Sequence, residues 1–94
     1  MYVLRIEHSV HDYAVWKQAF DSQPVDRKAG GVLHHRVFRP LDDPAFVMID
    51  LDFSTSTEAE SFLTHLQQLW TRVVGKLIEG PKARIVEIAE SADH

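Results

Sequence analysis

The sequence predicts an α+β fold with the element order β-α-β-β-α-β. Three observations carry that reading. Tyr2–His8 alternates like a strand and is followed within five residues by a helical repeat. Phe46–Phe53 presents an unbroken apolar face at every second residue. A long apolar stripe at helical spacing then begins at Ala59.

In the first strand, Tyr2, Leu4, Ile6 and His8 share one face, and Val3, Arg5 and Glu7 the other. Asp12 has the short carboxylate of an N-cap. Tyr13, Trp16 and Phe20 follow on one helical face, with Ala19 beside them. Pro24–Ala29 reads as a second short helix, since proline is tolerated in a first turn, and Gly30-Gly31 ends it. Val32–Phe38 is the second strand. Leu33, His35 and Val37 alternate there with Val32, His34, Arg36 and Phe38, and polar groups on both faces suit an edge strand or one lining a pocket.

Arg39-Pro-Leu-Asp-Asp-Pro44 is dense in turn formers and joins strands two and three as a hairpin. In Phe46–Phe53, Val47, Ile49, Leu51 and Phe53 should meet the helices. Phe46, Met48, Asp50 and Asp52 should face water or another subunit. Thr55 with Glu58, and Thr57 with Glu60, both have capping-box spacing. The stripe Ala59, Phe62, Leu63, Leu66, Leu69, Trp70, Val73, Val74, Leu77 and Ile78 extends the second helix to Gly80-Pro81, with a weak point at Gly75. Arg84–Ala89 is the last strand.

This order is the ferredoxin-like split βαβ pattern: a four-stranded antiparallel sheet with both helices on one face. Residues 1–94 are expected to form one domain, because the length leaves no room for a second core. The uncovered sheet face mixes Phe46 and Met48 with charges, and such a patch marks an interface. The expected partner is a second copy of the chain, packed sheet to sheet.

Composition excludes several functions. A formal net charge of −4, with ten basic residues scattered among fourteen acidic ones, argues against nucleic acid as a partner. Arg5 and Glu7 interrupt the first apolar stretch, so it is not a signal peptide, and Ala45–Ile49 is too short to span a membrane. There is no cysteine, hence no thiolate nucleophile and no Cys-type metal site. These features fit a cytoplasmic protein.

His8 is the candidate catalytic residue. It ends the first strand near the helix start, and a histidine there can move a proton near neutral pH; the plainer alternative is a capping hydrogen bond. Tyr13, Trp16 and Trp70 could hold a flat ligand or simply pack. Arg27 and Arg39 could bind an anion or steady an enolate, or pair with Asp21, Asp26 or Asp43. His34 and His35 point to opposite faces, and His35, beside Leu33 and Val37, could approach His8 across the interior. His8, His11 and His35 with an aspartate do not have diagnostic ligand spacing, and there is no HExxH, so no native metal site is expected.

The stretch His8-Ser-Val-His-Asp-Tyr-Ala-Val-Trp-Lys-Gln-Ala-Phe-Asp21 resembles small stand-alone antibiotic biosynthesis monooxygenase-like proteins of the dimeric α+β barrel superfamily. Arg27 with Gly30, Val37-Phe-Arg-Pro-Leu-Asp-Asp-Pro44, and Ala59 with Phe62 extend the resemblance, which covers roughly Val3–Leu66. It implies oxidation of an aromatic or polyketide-like phenol or quinol by O₂ without metal, flavin or other cofactor. Other members of the superfamily degrade haem. For this chain it implies a catalytic His8, with Tyr13, Trp16, Arg27, His35 and Arg39 contacting a small aromatic substrate. A small-molecule-binding dimer without turnover, and a structural interaction module, are the alternatives.

Overall fold

The computed structural model describes residues Met1–His94. Its elements are β1 (Tyr2–Val10), α1 (Tyr13–Asp21), β2 (His34–Phe38), β3 (Phe46–Phe53), α2 (Ser56–Val73) and β4 (Ile78–Glu87). The four strands form one antiparallel sheet in the order β2-β3-β1-β4. This is the ferredoxin-like α+β fold.

Strand alternation sorts residues between two environments. Leu4, Ile6, Val47, Ile49, Leu51 and Phe53 are buried beneath Trp16 of α1 and Ala59 and Phe62 of α2. The intervening residues form a charged row across the other face. Arg5 lies opposite both Asp50 and Arg84, and Arg36 opposite Asp50. Asp50 is buried there, 3.3 Å from Arg5 and 3.7 Å from Arg36.

Both helices begin at side-chain caps. Asp12 Oδ1 accepts from the Val15 amide at 3.1 Å. Thr55 Oγ1 accepts from the Glu58 amide at 3.1 Å and donates to the Glu58 carboxylate at 2.9 Å. The alternative pair Thr57–Glu60 lies inside the first turn of α2.

Besides β1, which runs on past His8 to Val10, and the last strand, which spans Ile78–Glu87 and not Arg84–Ala89, three boundaries differ from the sequence expectation. Pro24–Ala29 is a series of turns, not a helix; the Gly30 amide bonds the Asp26 carbonyl at 3.0 Å and the chain reverses at once. There is reason for glycine at this point, since a Cβ on Gly30 would stand 2.5 Å from the Phe62 ring. Strand β2 begins at His34 rather than Val32, although the Leu33 amide already bonds the Asp52 carbonyl at 2.9 Å.

The third difference matters most. Helix α2 stops at Val73, and the chain turns back through Gly75 at φ 86°. Leu77 and Ile78 therefore reach the core from β4, not as a continuation of the helical stripe. Gly80-Pro81 does not terminate a helix but lies within β4. Glu7 pairs with Lys82 and Ser9 with Glu79, so Gly80 and Pro81 together oppose the single residue His8. Gly80 has φ 58°, as a bulge glycine should. Pro81 lacks a donor but sits on an edge strand, where none is required.

Candidate active site

Between the helices and the sheet lies a cavity of about 200 Å³. Its floor is Ile6, Ile49 and Leu51, and its roof is Leu66, Leu69, Trp70 and Val73 of α2. Trp16 and Phe20 of α1 form one wall. The connection after α1 adds Val25 and Arg27, and the start of β4 adds Leu77 and Ile78. Fourteen of the eighteen lining residues are hydrophobic. His8 and Arg27 are the titratable groups among them.

His8 is 3% exposed. Its alternation with Leu4 and Ile6 aims it at the helices, and the bulge at Gly80-Pro81 lies directly across the strand pair. Such bulges re-aim neighbouring side chains. The ring packs edge-on against Trp16, with centroids 5.7 Å apart. Nδ1 lies 3.1 Å from the Ser9 carbonyl. A carbonyl only accepts, so Nδ1 carries the proton in this hydrogen bond. In the neutral ring Nε2 then holds a free lone pair. It has no protein partner, yet no buried side-chain nitrogen or oxygen is left sealed without one, so Nε2 borders open space, and His8 is part of the cavity wall. Desolvation lowers the His8 pKa from its ordinary 6.5, opposed by the Ser9 hydrogen bond. The ring is therefore held neutral and able to accept a proton at physiological pH.

Arg27 is half-buried, and its guanidinium covers the Phe20 ring at 4.1 Å. One amino group donates to the Phe20 carbonyl at 3.0 Å, at the end of α1, where the same oxygen also accepts from the Gln23 amide at 3.1 Å. Desolvation lowers its pKa, against the attraction of Asp21 and Asp26. Neither carboxylate reaches ion-pair distance.

Of the six residues singled out from sequence, the structure thus places His8, Trp16 and Arg27 on the cavity wall. Tyr13, His35 and Arg39 stand outside it. Tyr13 packs against Trp16 at 5.8 Å and carries the Arg39 guanidinium on its outer face at 4.0 Å. His35 is on the helix side of β2, opposite Leu51, and meets the Phe20 ring edge-on at 5.5 Å. Its pKa is lowered, chiefly by desolvation and then by Arg27. His34 is on the other face, opposite Asp52.

Phe20 and Leu66 are wall residues that sequence reasoning left as packing, and Trp70, weighed there for a flat ligand or for packing, also lines the cavity. Their helical spacing looks the same whether a stripe fills a core or borders a cavity. The histidines do not converge: His11 bonds Glu79 at 2.7 Å, far along the chain from His35 on Phe20. No group of three or more His, Asp or Glu side chains is arranged to hold a metal ion, and no helix is long and apolar enough to cross a membrane.

The fold defines a class. The chain shares its fold with antibiotic biosynthesis monooxygenase-like proteins. A variant of SnoaB, a cofactor-independent oxygenase from Streptomyces nogalater, superposes with a TM-score of 0.78 at 11% identity, over 99% of this chain and 97% of the other. A proposed antibiotic biosynthesis monooxygenase from Deinococcus radiodurans gives 0.71 at 17% identity, over 100% and 98%. A dimeric ferredoxin-like protein from an uncultured marine organism gives 0.71 at 5% identity, over the whole of both chains. At these identities the likeness is one of fold. No protein-family profile matches the sequence, and no curated protein matches it.

Proposed function

We propose that the protein is a cofactor-free monooxygenase acting on a small phenol or quinol, working as a homodimer in the cytoplasm. The observation that carries this reading is His8: a neutral, desolvated imidazole with a free lone pair, on the wall of an apolar cavity beside Trp16. The fold shared with a cofactor-independent oxygenase supports it. So does the charged and half-apolar sheet face that a second copy would cover, in a fold shared with a dimeric ferredoxin-like protein.

The chemistry asked of such a site is modest. His8 Nε2 takes the phenolic proton and leaves an electron-rich ring anion, while the apolar walls exclude water and place the ring. A phenol with a hydrogen on its para carbon then consumes one O₂. One oxygen atom becomes the second ring carbonyl, and the other leaves as water with the two hydrogens displaced, so the product is a quinone. Trp16 and Arg27 contact the substrate, and Tyr13, His35 and Arg39 brace the wall from behind.

Cavity size narrows the substrate. An apolar cavity of roughly 150 Å³ accepts one benzene, and drug-sized ligands use roughly 300–1,000 Å³. About 200 Å³ suits one or two fused rings. Oxygen uptake with 1-naphthol, with naphthoquinone as product, tests the activity. His8→Ala should lower the rate by about 10²–10⁴-fold, the usual worth of a general base, while leaving the oligomer intact. Full activity in that variant removes His8 from the mechanism. Saturable binding of 1-naphthol with no oxygen uptake would make the protein a binder instead.

A further inference from the structure

We infer that the ligand of this cavity is an aromatic carboxylate bearing a hydroxyl group at its far end, with Arg27 receiving the carboxylate and His8 the hydroxyl. The inference rests on the cavity being the phenol site proposed above and adds the charge and shape of its occupant.

The two polar residues lie at opposite ends of one aromatic wall. From His8, the ring of Trp16 follows at 5.7 Å, that of Phe20 at a further 5.1 Å, and the Arg27 guanidinium at 4.1 Å from Phe20. His8 thus touches the first ring and Arg27 the second. A flat, two-ring ligand lying along it can engage both ends at once.

Arg27 has the capacity to bind such an anion. It is the one cation on the cavity wall. It has lost part of its hydration, yet no carboxylate of the protein lies within ion-pair distance. One amino group is spent on the Phe20 carbonyl. Its remaining N–H groups have no protein acceptor, and none is sealed from space. A guanidinium presents donors in a flat fork that fits a carboxylate with two parallel hydrogen bonds. Stacking on Phe20 holds that fork in place before any ligand arrives. The other wall residues along this path are apolar, so a second charge on the ligand would find no partner. The occupant is therefore a monoanion with its charge at one end.

Isothermal titration with matched two-ring probes tests this. 6-Hydroxy-2-naphthoate carries both groups, and 2-naphthol lacks only the carboxylate. The wild-type protein should bind the hydroxynaphthoate at least tenfold more tightly. Arg27→Gln should abolish that preference, bringing the affinity for the hydroxynaphthoate down to that for 2-naphthol. Arg27→Lys, which keeps the charge without the fork, should restore part of the preference and serves as the folded control if Arg27→Gln melts early. Equal binding of both probes by the wild type, or a preference that survives in Arg27→Gln, overturns the inference but leaves the phenol site standing. Binding of neither probe overturns both.

Discussion

The two faces of the sheet are built from the same strands, residue by residue in alternation, and solve opposite problems. On the helix side, neighbours such as Leu51 and Phe53 lose nearly all contact with water. On the other side, Asp50, one residue away from Ile49 and Leu51, is shared between Arg5 and Arg36. The helix side gains its stability from apolar burial, which is non-directional and tolerates a void where α1 and α2 diverge. The charged side gains little from its ion pairs while exposed, because solvent competes for both arginines, which are 60% and 54% exposed. The difference teaches where function sits. The helix side encloses a ligand-sized space with two polar anchors, whereas the charged side is a surface suited to a partner.

The largest test of that contrast is in the core. Phe53 is fully buried, packed against Phe62 at 5.7 Å. Phe53→Ala should lose about 3–5 kcal/mol in urea unfolding, as deletion of a core aromatic does. A loss below about 1 kcal/mol would show that the helix side is not the seat of stability. A second substitution addresses the other face. Met48 is half-buried between Phe38 and Glu7. In the proposed homodimer, Met48→Glu should reduce the mass seen by light scattering from two chains to one, with the monomer's far-UV circular dichroism unchanged. If the mass stays at two chains, the dimer uses another surface.

The smallest effect separates the faces by pH. Burial lowers the His8 pKa, so below the ordinary value of 6.5 the unfolded chain binds more protons than the folded one. Stability is therefore complete above that pH and falls as pH drops through and below it. His35 is shifted in the same direction and adds to the slope. Melting temperatures of wild type and His8→Gln between about pH 5 and 7.5 should converge toward the acid end. Parallel curves would show that His8 is not held neutral by its burial.

How much of this was legible depended on whether a signal was local. The start of α1 could be read because Asp12 supplies its own cap and the apolar period changes beside it. The end of α2 could not, because Leu77 and Ile78 continue the helical stripe in sequence while reaching the core by a reversed chain. Gly80-Pro81 has the same appearance in a helix stop and in a bulge, and only pairing with β1 selects the bulge. In the site, His8 was legible from its alternation with Leu4 and Ile6. Tyr13 shares the helical face of Trp16 but lies at its outer end, and that position along α1 has no sequence signature. The roles assigned to His35 and Arg39 met the same difficulty, since each ends on an aromatic ring outside the cavity.

The sequence by itself determined the element order, the Asp12 cap, the inward faces of β1 and β3 and therefore the side on which His8 falls, whereas the choice between His34 and His35 for the inward face of β2 came from the sheet register. Those properties follow from dihedral preferences and periodicity, which act over a few residues. Tertiary structure alone decided that α1 and α2 leave a cavity, that the bulge faces His8, and that Arg27 folds back over Phe20 without a carboxylate partner. Each of these depends on the distance between segments remote in sequence, set by how whole surfaces pack, and no local pattern encodes that distance.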